Sequence, residues 1–274
     1  MRQQITQNLK SVRKEIKKTK GKTRLVAVTK TRSPKEVSLA IAAGVKSIGE
    51  NKVQEAEKKF LEISNIGDIE KRLIGRLQSN KVKKAVQIFD TIDSVDSTRL
   101  AQKISRAAVA AEKIQRILIQ VNTANEETKG GFSLGSEKEI IECFDLPGIK
   151  VEGLMTIGPT EKNKEKKQRA FSLLREVFVA INNKISPEKK MNELSMGMSG
   201  DFLLGISEGS TMVRIGSLIF GERNPSTSRE KKGREVLAEG HPSIFIITFP
   251  YYNQVSLTLQ SCQKYQGIQP SIFT

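Results

Sequence analysis

Leu25-Val26-Ala27-Val28-Thr29-Lys30 is a continuous apolar run ending in a hydroxyl and an amine, and Ser33-Pro34-Lys35-Glu36 follows it closely. A strand covered on both faces has this pattern, with no polar alternation. Ser33 ahead of Pro34, with Glu36 after it, marks a helix start with proline at the first helical position, and Gly44 marks its end. Elsewhere Ile117-Leu118-Ile119 repeats the apolar run, Asp96 or Ser97 can cap the helix after the fourth strand, and Pro147-Gly148 stops another helix before the sixth strand.

The same unit recurs from Leu25 to Phe220. Strands are expected at 25–30, 46–49, 72–77, 89–94, 115–122, 150–157, 192–196 and 212–219. Helices are expected at 2–18, 34–43, 51–63, 80–87, 97–111, 136–145, 163–184 and 199–208. Such alternation implies parallel strands joined by right-handed crossovers, and eight units in roughly 200 residues match a closed (β/α)8 TIM barrel. An open doubly wound sheet is the alternative.

The chain has 274 residues, 37% hydrophobic and 28% charged, which leaves ample material for a core and argues against disorder or collagen-like repetition. No apolar run approaches the ~20 residues of a membrane span. The basic N-terminus has neither an apolar h-region nor a small-residue cleavage site, so a cytoplasmic protein is expected. Two cysteines, Cys143 and Cys262, and the single His241 are too few for a disulfide framework or a zinc site, and no metal is expected.

Net charge is +16, and residues 1–24 hold nine Lys or Arg against Glu15 alone. Clustered cations can gain affinity for nucleic acid by releasing its counterions. No recognition motif accompanies the run, so it reads as a solvated helix face, with nucleic acid not expected as a partner. Composition changes after Arg223: the last 51 residues hold 6 aromatics against 8 in the first 223. The expected division is 1–223 for the barrel with its N-terminal helix and 224–274 for an extension, with a linker at 224–228 and two strands at 243–249 and 255–259. No chemistry is legible in that extension.

In a parallel barrel the active face is the C-terminal end of the strands, so polar residues that close apolar runs are the candidates. Lys30, Glu50, Asn51, Arg76, Gln78, Ser79, Asn80 and Asn122 stand there and are expected to converge on one mouth. An amine at the end of a buried first strand favours a depressed pKa and nucleophilic chemistry, which makes Lys30 a Schiff-base candidate. Ser195-Met196-Gly197-Met198-Ser199-Gly200 leads into a helix, and Arg214-Ile215-Gly216-Ser217 lies in the last strand region. Loops after strands seven and eight often bind phosphate through backbone N–H groups, although Ser199 could equally be an ordinary N-cap. An amine and a phosphate cradle together suggest a covalently held phosphorylated aldehyde, and pyridoxal 5'-phosphate (PLP) fits.

Six stretches carry a resemblance in order and spacing: Ala27-Val28-Thr29-Lys30, Gly49-Glu50-Asn51-Lys52-Val53-Gln54-Glu55, Ile74-Gly75-Arg76-Leu77-Gln78-Ser79-Asn80-Lys81, Gly153-Leu154-Met155-Thr156-Ile157-Gly158-Pro159, Leu194-Ser195-Met196-Gly197-Met198-Ser199, and Gly209-Ser210-Thr211-Met212-Val213-Arg214-Ile215-Gly216. From about residue 5 to Arg223 the chain resembles the pyridoxal phosphate homeostasis protein family. The resemblance implies a single barrel like the N-terminal domain of bacterial alanine racemase, with Lys30 as the cofactor lysine. It also implies Ser199, Gly216 and Ser217 around the phosphate, Arg214 facing the pyridine nitrogen, and Asn51 lining the pocket. Lys52 stands where an aromatic is usual, Arg72 stands where His is common, and 224–274 lies outside the pattern. The first two departures are expected to touch the pocket rim and any surface partner site.

An Arg at the pyridine nitrogen keeps that nitrogen unprotonated and the ring a weak electron sink. A racemase also needs a second acid/base on the opposite face of the α-carbon, which its relatives bring on an additional β domain. The expected role, as the resemblance implies, is therefore a non-catalytic protein that holds, buffers and transfers PLP, with PLP-dependent apoenzymes as recipients. The alternative is a PLP-dependent amino-acid racemase or decarboxylase using Tyr251, Tyr252 or Tyr265.

Overall fold

The computed structural model describes residues 1–19, 22–126 and 128–222, so the linker and strands expected beyond 223 lie outside the described residues. In chain order the elements are α1 (Arg2–Lys17), β1 (Arg24–Val28), α2 (Pro34–Ala42), β2 (Ser47–Glu50), α3 (Val53–Leu61), β3 (Glu70–Leu73), α4 (Val82–Ile88), β4 (Thr91–Val95), α5 (Thr98–Ala110), β5 (Gln115–Gln120), α6 (Glu137–Glu142), β6 (Ile149–Met155), α7 (Lys164–Lys184), β7 (Glu193–Met198), α8 (Phe202–Ser207), β8 (Met212–Ile215) and α9 (Ser217–Phe220). Every strand is parallel to its neighbours and β8 pairs with β1, closing the barrel in sequential order. The doubly wound alternative is thereby excluded.

Local chemistry accounts for several boundaries. Ser33 accepts from the Glu36 N–H at 3.3 Å while Glu36 accepts from the Ser33 N–H at 2.8 Å, a reciprocal capping box that starts α2. Ser97, rather than Asp96, caps α5 through the Leu100 N–H. The apolar stripe of α1 (Ile5, Leu9, Val12, Ile16) is buried, while Lys10, Lys14 and Lys17 remain exposed on its other face. Arg13 of the same helix donates to the carbonyls of Ala43 (3.1 Å) and Gly44 (2.7 Å), satisfying groups that the end of α2 leaves open.

Most expected boundaries move by a residue or two, and three shifts have a clear physical reason. The third strand is Glu70–Leu73 instead of 72–77, because its charged opening carries no apolar signal and because the chain leaves the sheet at Gly75. A Cβ on Gly75 would lie 2.4 Å from the Asn51 carbonyl oxygen, so only glycine permits that close crossing. The last strand stops at Ile215, and what looked like its continuation to 219 is the short helix α9. The seventh crossover helix begins at Phe202 rather than at 199, after the chain turns at Gly197 with φ +95°.

Inside the lower half of the barrel the filling is ionic. Arg72, fully buried, bonds Asp93 (2.9 Å), Glu193 (2.8 Å) and Glu70 (2.9 Å), reaching across the barrel from β3 to β7. Arg24 also pairs with Glu193, and Arg116 with Glu70 at 3.1 Å, so one charge network joins β1, β3, β4, β5 and β7. The expectation that Arg72 would alter the pocket rim is corrected here: its side chain is sealed in the barrel interior, where an extended polar residue on an inward-facing strand position must find partners. Lys52, by contrast, is exposed at the N-cap position of α3.

Among the described residues no helix is long and apolar enough to cross a membrane, and no group of three or more His, Cys, Asp or Glu could hold a metal ion. Cys143 is buried, and burial pushes its thiol up to about 11, which leaves it unreactive at neutral pH.

Candidate functional site

Four consecutive strands, β7, β8, β1 and β2, carry every residue expected around the cofactor. Register sets their relative heights: Val28 pairs with Gly49, which places Lys30 and Asn51 each two residues beyond a matched pair. On the other side of β1, Ala27 pairs with Ile215, so the Gly216-Ser217 turn emerges beside the segment that leads to Lys30. Met198 is matched to Arg214, which brings Ser199 to the same edge. Lys30, Asn51, Ser199 and Gly216 are half-buried there, and Ser217 is exposed.

Ser199 does not cap a helix. Its hydroxyl accepts from the Gly216 N–H at 3.2 Å, tying the end of β7 to the end of β8, while Asp201 takes the N-cap position of α8. A Cβ at Gly216 would sit 3.3 Å from Val28 Cβ and 3.4 Å from the Val28 carbonyl, tighter than side chains normally pack. The Ile219 and Phe220 N–H groups of α9 already bond the Gly216 carbonyl (2.9 and 3.0 Å), so the Ser199 hydroxyl and the bare glycine backbone at 216 are the features here that suit a phosphate.

Arg214 is buried, and its two terminal nitrogens donate to the Ser195 carbonyl (2.9 Å), the Ser195 hydroxyl (2.7 Å) and the Thr156 carbonyl (2.7 Å). Burial pulls its pKa down to about 10, against the pull of Asp93 and Asp201. It therefore remains a cation at neutral pH and can only donate.

Other candidates separate. Arg76, Gln78, Ser79 and Asn80 are exposed, with Arg76 near Asp96 at 3.7 Å. The Asn122 amide donates to the carbonyls of Glu126 (3.0 Å) and Lys129 (3.1 Å), so it organises its own loop. Glu50 is not at the mouth at all. It is fully buried toward α3, where its carboxylate accepts from Lys59 at 2.6 Å and from the Thr29 hydroxyl at 2.7 Å. Burial raises its pKa, with Lys59 and Thr29 opposing. Lys59 was missed in the sequence, although a signal existed: it interrupts the buried face of α3 formed by Val53, Ala56 and Phe60.

The closed parallel barrel in sequential order, with a lysine two residues past its first strand, is a barrel of the alanine racemase type. The family model described as "Alanine racemase, N-terminal domain" matches residues 1–224. A pyridoxal phosphate homeostasis protein from Synechocystis is 39% identical over 201 residues, covering 73% of this chain and 91% of that one. Another, from Aquifex aeolicus, is 41% identical over 201 residues, covering 73% and 87%. The chain belongs to the pyridoxal phosphate homeostasis protein family within that barrel class. The structure of PipY from Synechococcus elongatus with PLP bound is 33% identical with a TM-score of 0.72, covering 80% of this chain and all of that one. An alanine racemase from Clostridium difficile, 17% identical with a TM-score of 0.68, covers 82% of this chain and 58% of its own, and shares the fold.

Proposed function

We propose that this chain holds pyridoxal 5'-phosphate through Lys30 and acts in PLP homeostasis, retaining and releasing the cofactor rather than catalysing with it. The observation that carries this is the register around β1, which sets Lys30, Asn51, Ser199 and Gly216 on adjacent strand ends. The names of the relatives and the PLP-bound PipY structure supply the ligand. Bound there, PLP supplies an aldehyde that a lysine amine can hold covalently and a dianionic phosphate. Ser199, Gly216 and Ser217 would hold the phosphate, Asn51 would line the pocket, and Arg214, a donor-only cation, would keep the ring nitrogen unprotonated and so disfavour carbanion chemistry. The reading includes a cytoplasmic location and PLP-dependent apoenzymes as recipients of released cofactor.

Solvent deuterium incorporation at Cα of alanine, serine and lysine tests the function. The PLP-loaded protein is expected to exchange slowly or not at all. Lys30-dependent exchange at ~1 s⁻¹ or faster, within the ordinary enzymatic range, would establish a racemase or decarboxylase instead. Loss of that exchange in a Tyr251, Tyr252 or Tyr265 variant would place the second base in the extension.

Ser199→Ala is expected to weaken PLP retention by ~1.5–3 kcal/mol, since it removes a hydroxyl beside a charged group. Arg214→Gln is expected to weaken retention and shift the absorption of bound PLP, because the ring nitrogen gains access to a proton. Equilibrium dialysis and spectra check both; unchanged values in both variants would mean the pocket is misplaced. Deleting 224–274 is expected to leave PLP affinity intact, since all assigned ligands precede 223, and a folded truncation that cannot bind PLP would assign the extension to the site.

A further inference from the structure

Lys30 has a threonine on each side, and both are held by one buried cluster. The Thr29 hydroxyl donates to Glu50 at 2.7 Å, and the Thr29 carbonyl accepts from Lys59 Nζ at 2.7 Å. The Thr31 N–H donates to Glu55 Oε1 at 2.6 Å. Lys59 Nζ closes the cluster by donating to Glu50 (2.6 Å) and Glu55 (3.0 Å), so its three N–H groups are all engaged.

Two further features separate this cluster from an ordinary surface ion pair. Thr31 sits at φ +64°, a left-handed conformation that a β-branched residue adopts only when its surroundings impose it. Glu50, with no exposed surface, keeps Oε2 without a hydrogen-bond partner, so a charged pair has been buried at incomplete satisfaction. Replacing such a pair with apolar side chains is often neutral or stabilising, so fold stability alone is weak grounds for it.

We propose that Glu50, Lys59 and Glu55 are positioning residues for Lys30: they fix the backbone on both sides of it so that its amine is delivered to the cofactor aldehyde. In the step served, the neutral Lys30 amine adds to the aldehyde carbon, a C=N bond replaces C=O, and the two amine protons leave with the oxygen as water. The cluster touches neither reacting atom; it acts through residues 29 and 31. Orienting a reacting group lowers the barrier to bond formation without adding to the affinity of the noncovalent complex.

This inference rests on PLP being the ligand, and the test separates the two claims. The rate of borohydride-trappable PLP attachment at Lys30 is measured alongside the affinity for pyridoxamine 5'-phosphate, which carries the phosphate and ring but no aldehyde. Glu55→Ala is expected to slow attachment by tenfold or more, and Glu55→Gln, whose amide oxygen can still accept from the Thr31 N–H, to restore it to within about threefold of the wild type. Lys59→Met is expected to slow attachment at least as much as Glu55→Ala. In each variant that folds, pyridoxamine 5'-phosphate affinity is expected to stay within twofold of the wild type. Equal losses for both ligands would reduce the cluster to a structural support and overturn the proposal. Unchanged attachment in Glu55→Ala would overturn it as well, while the PLP reading survived. A wild-type protein that captures no PLP at Lys30 would overturn both.

Discussion

Lys30→Ala is expected to eliminate the visible absorption band that PLP acquires when linked to the protein, and to do so without unfolding the barrel. The argument is positional. Lys30 lies two residues beyond β1, half-buried, so truncating it removes no core side chain, whereas Val26 and Ala27 in the strand itself are fully buried. Substitutions outside the core usually move stability by about 0.5 kcal/mol or less. The groups proposed to hold the phosphate, on β7 and β8, are untouched, so PLP is expected still to associate but no longer to survive dialysis or borohydride treatment as an adduct. Spectra, borohydride trapping with peptide mapping, and a denaturant melt check the three parts. A trapped adduct mapping to another lysine would falsify the assignment.

Arg72→Met is expected to cost ~3–5 kcal/mol of folding stability, the usual penalty for leaving buried charges without their partner. Against the ~5–15 kcal/mol that a domain typically has, that is a large fraction. The change leaves the fully buried Asp93 and the nearly buried Glu193 facing each other without the guanidinium between them. It also carries a pH signature. Burial already raises the Asp93 pKa, with Arg72 opposing it, and removing Arg72 raises it further. A folded state that binds the proton more tightly than the unfolded chain is favoured as pH falls, so the variant recovers part of its lost stability between neutral and mildly acidic pH. Urea melts at several pH values measure both effects. A loss under about 1 kcal/mol, or a loss independent of pH, would mean that the interior network relaxes around the missing cation.

The parts of the fold legible in the sequence were those with a local cause. Apolar runs at Leu25–Val28 and Ile117–Ile119, the Ser33–Glu36 capping box and the glycine at 44 each announce their element within a few residues. The third strand was misplaced because Glu70 and Arg72 pair with Arg116 and Glu193 across the barrel and Lys71 pairs with Asp90 beside β4, and nothing within the segment signals those distant partners. In the same way Lys30 and Arg214 could be picked out as strand-end residues, but the bond between Ser199 and Gly216 joins two loops, and no spacing rule predicts it. Glu50 was assigned to the mouth on position alone. One residue of offset along a strand reverses the face, and Glu50 turns to α3 with Thr29.

The pairing of β1 with β8 couples residues 24–27 to residues 212–215. During synthesis residues 24–27 leave the ribosome long before residues 212–215, and contacts of such high sequence separation form late. On the proposed site, a nascent chain retains no cofactor until its eighth strand has docked. Any ligand that bridges the two segments favours the closed ring over every partly assembled form.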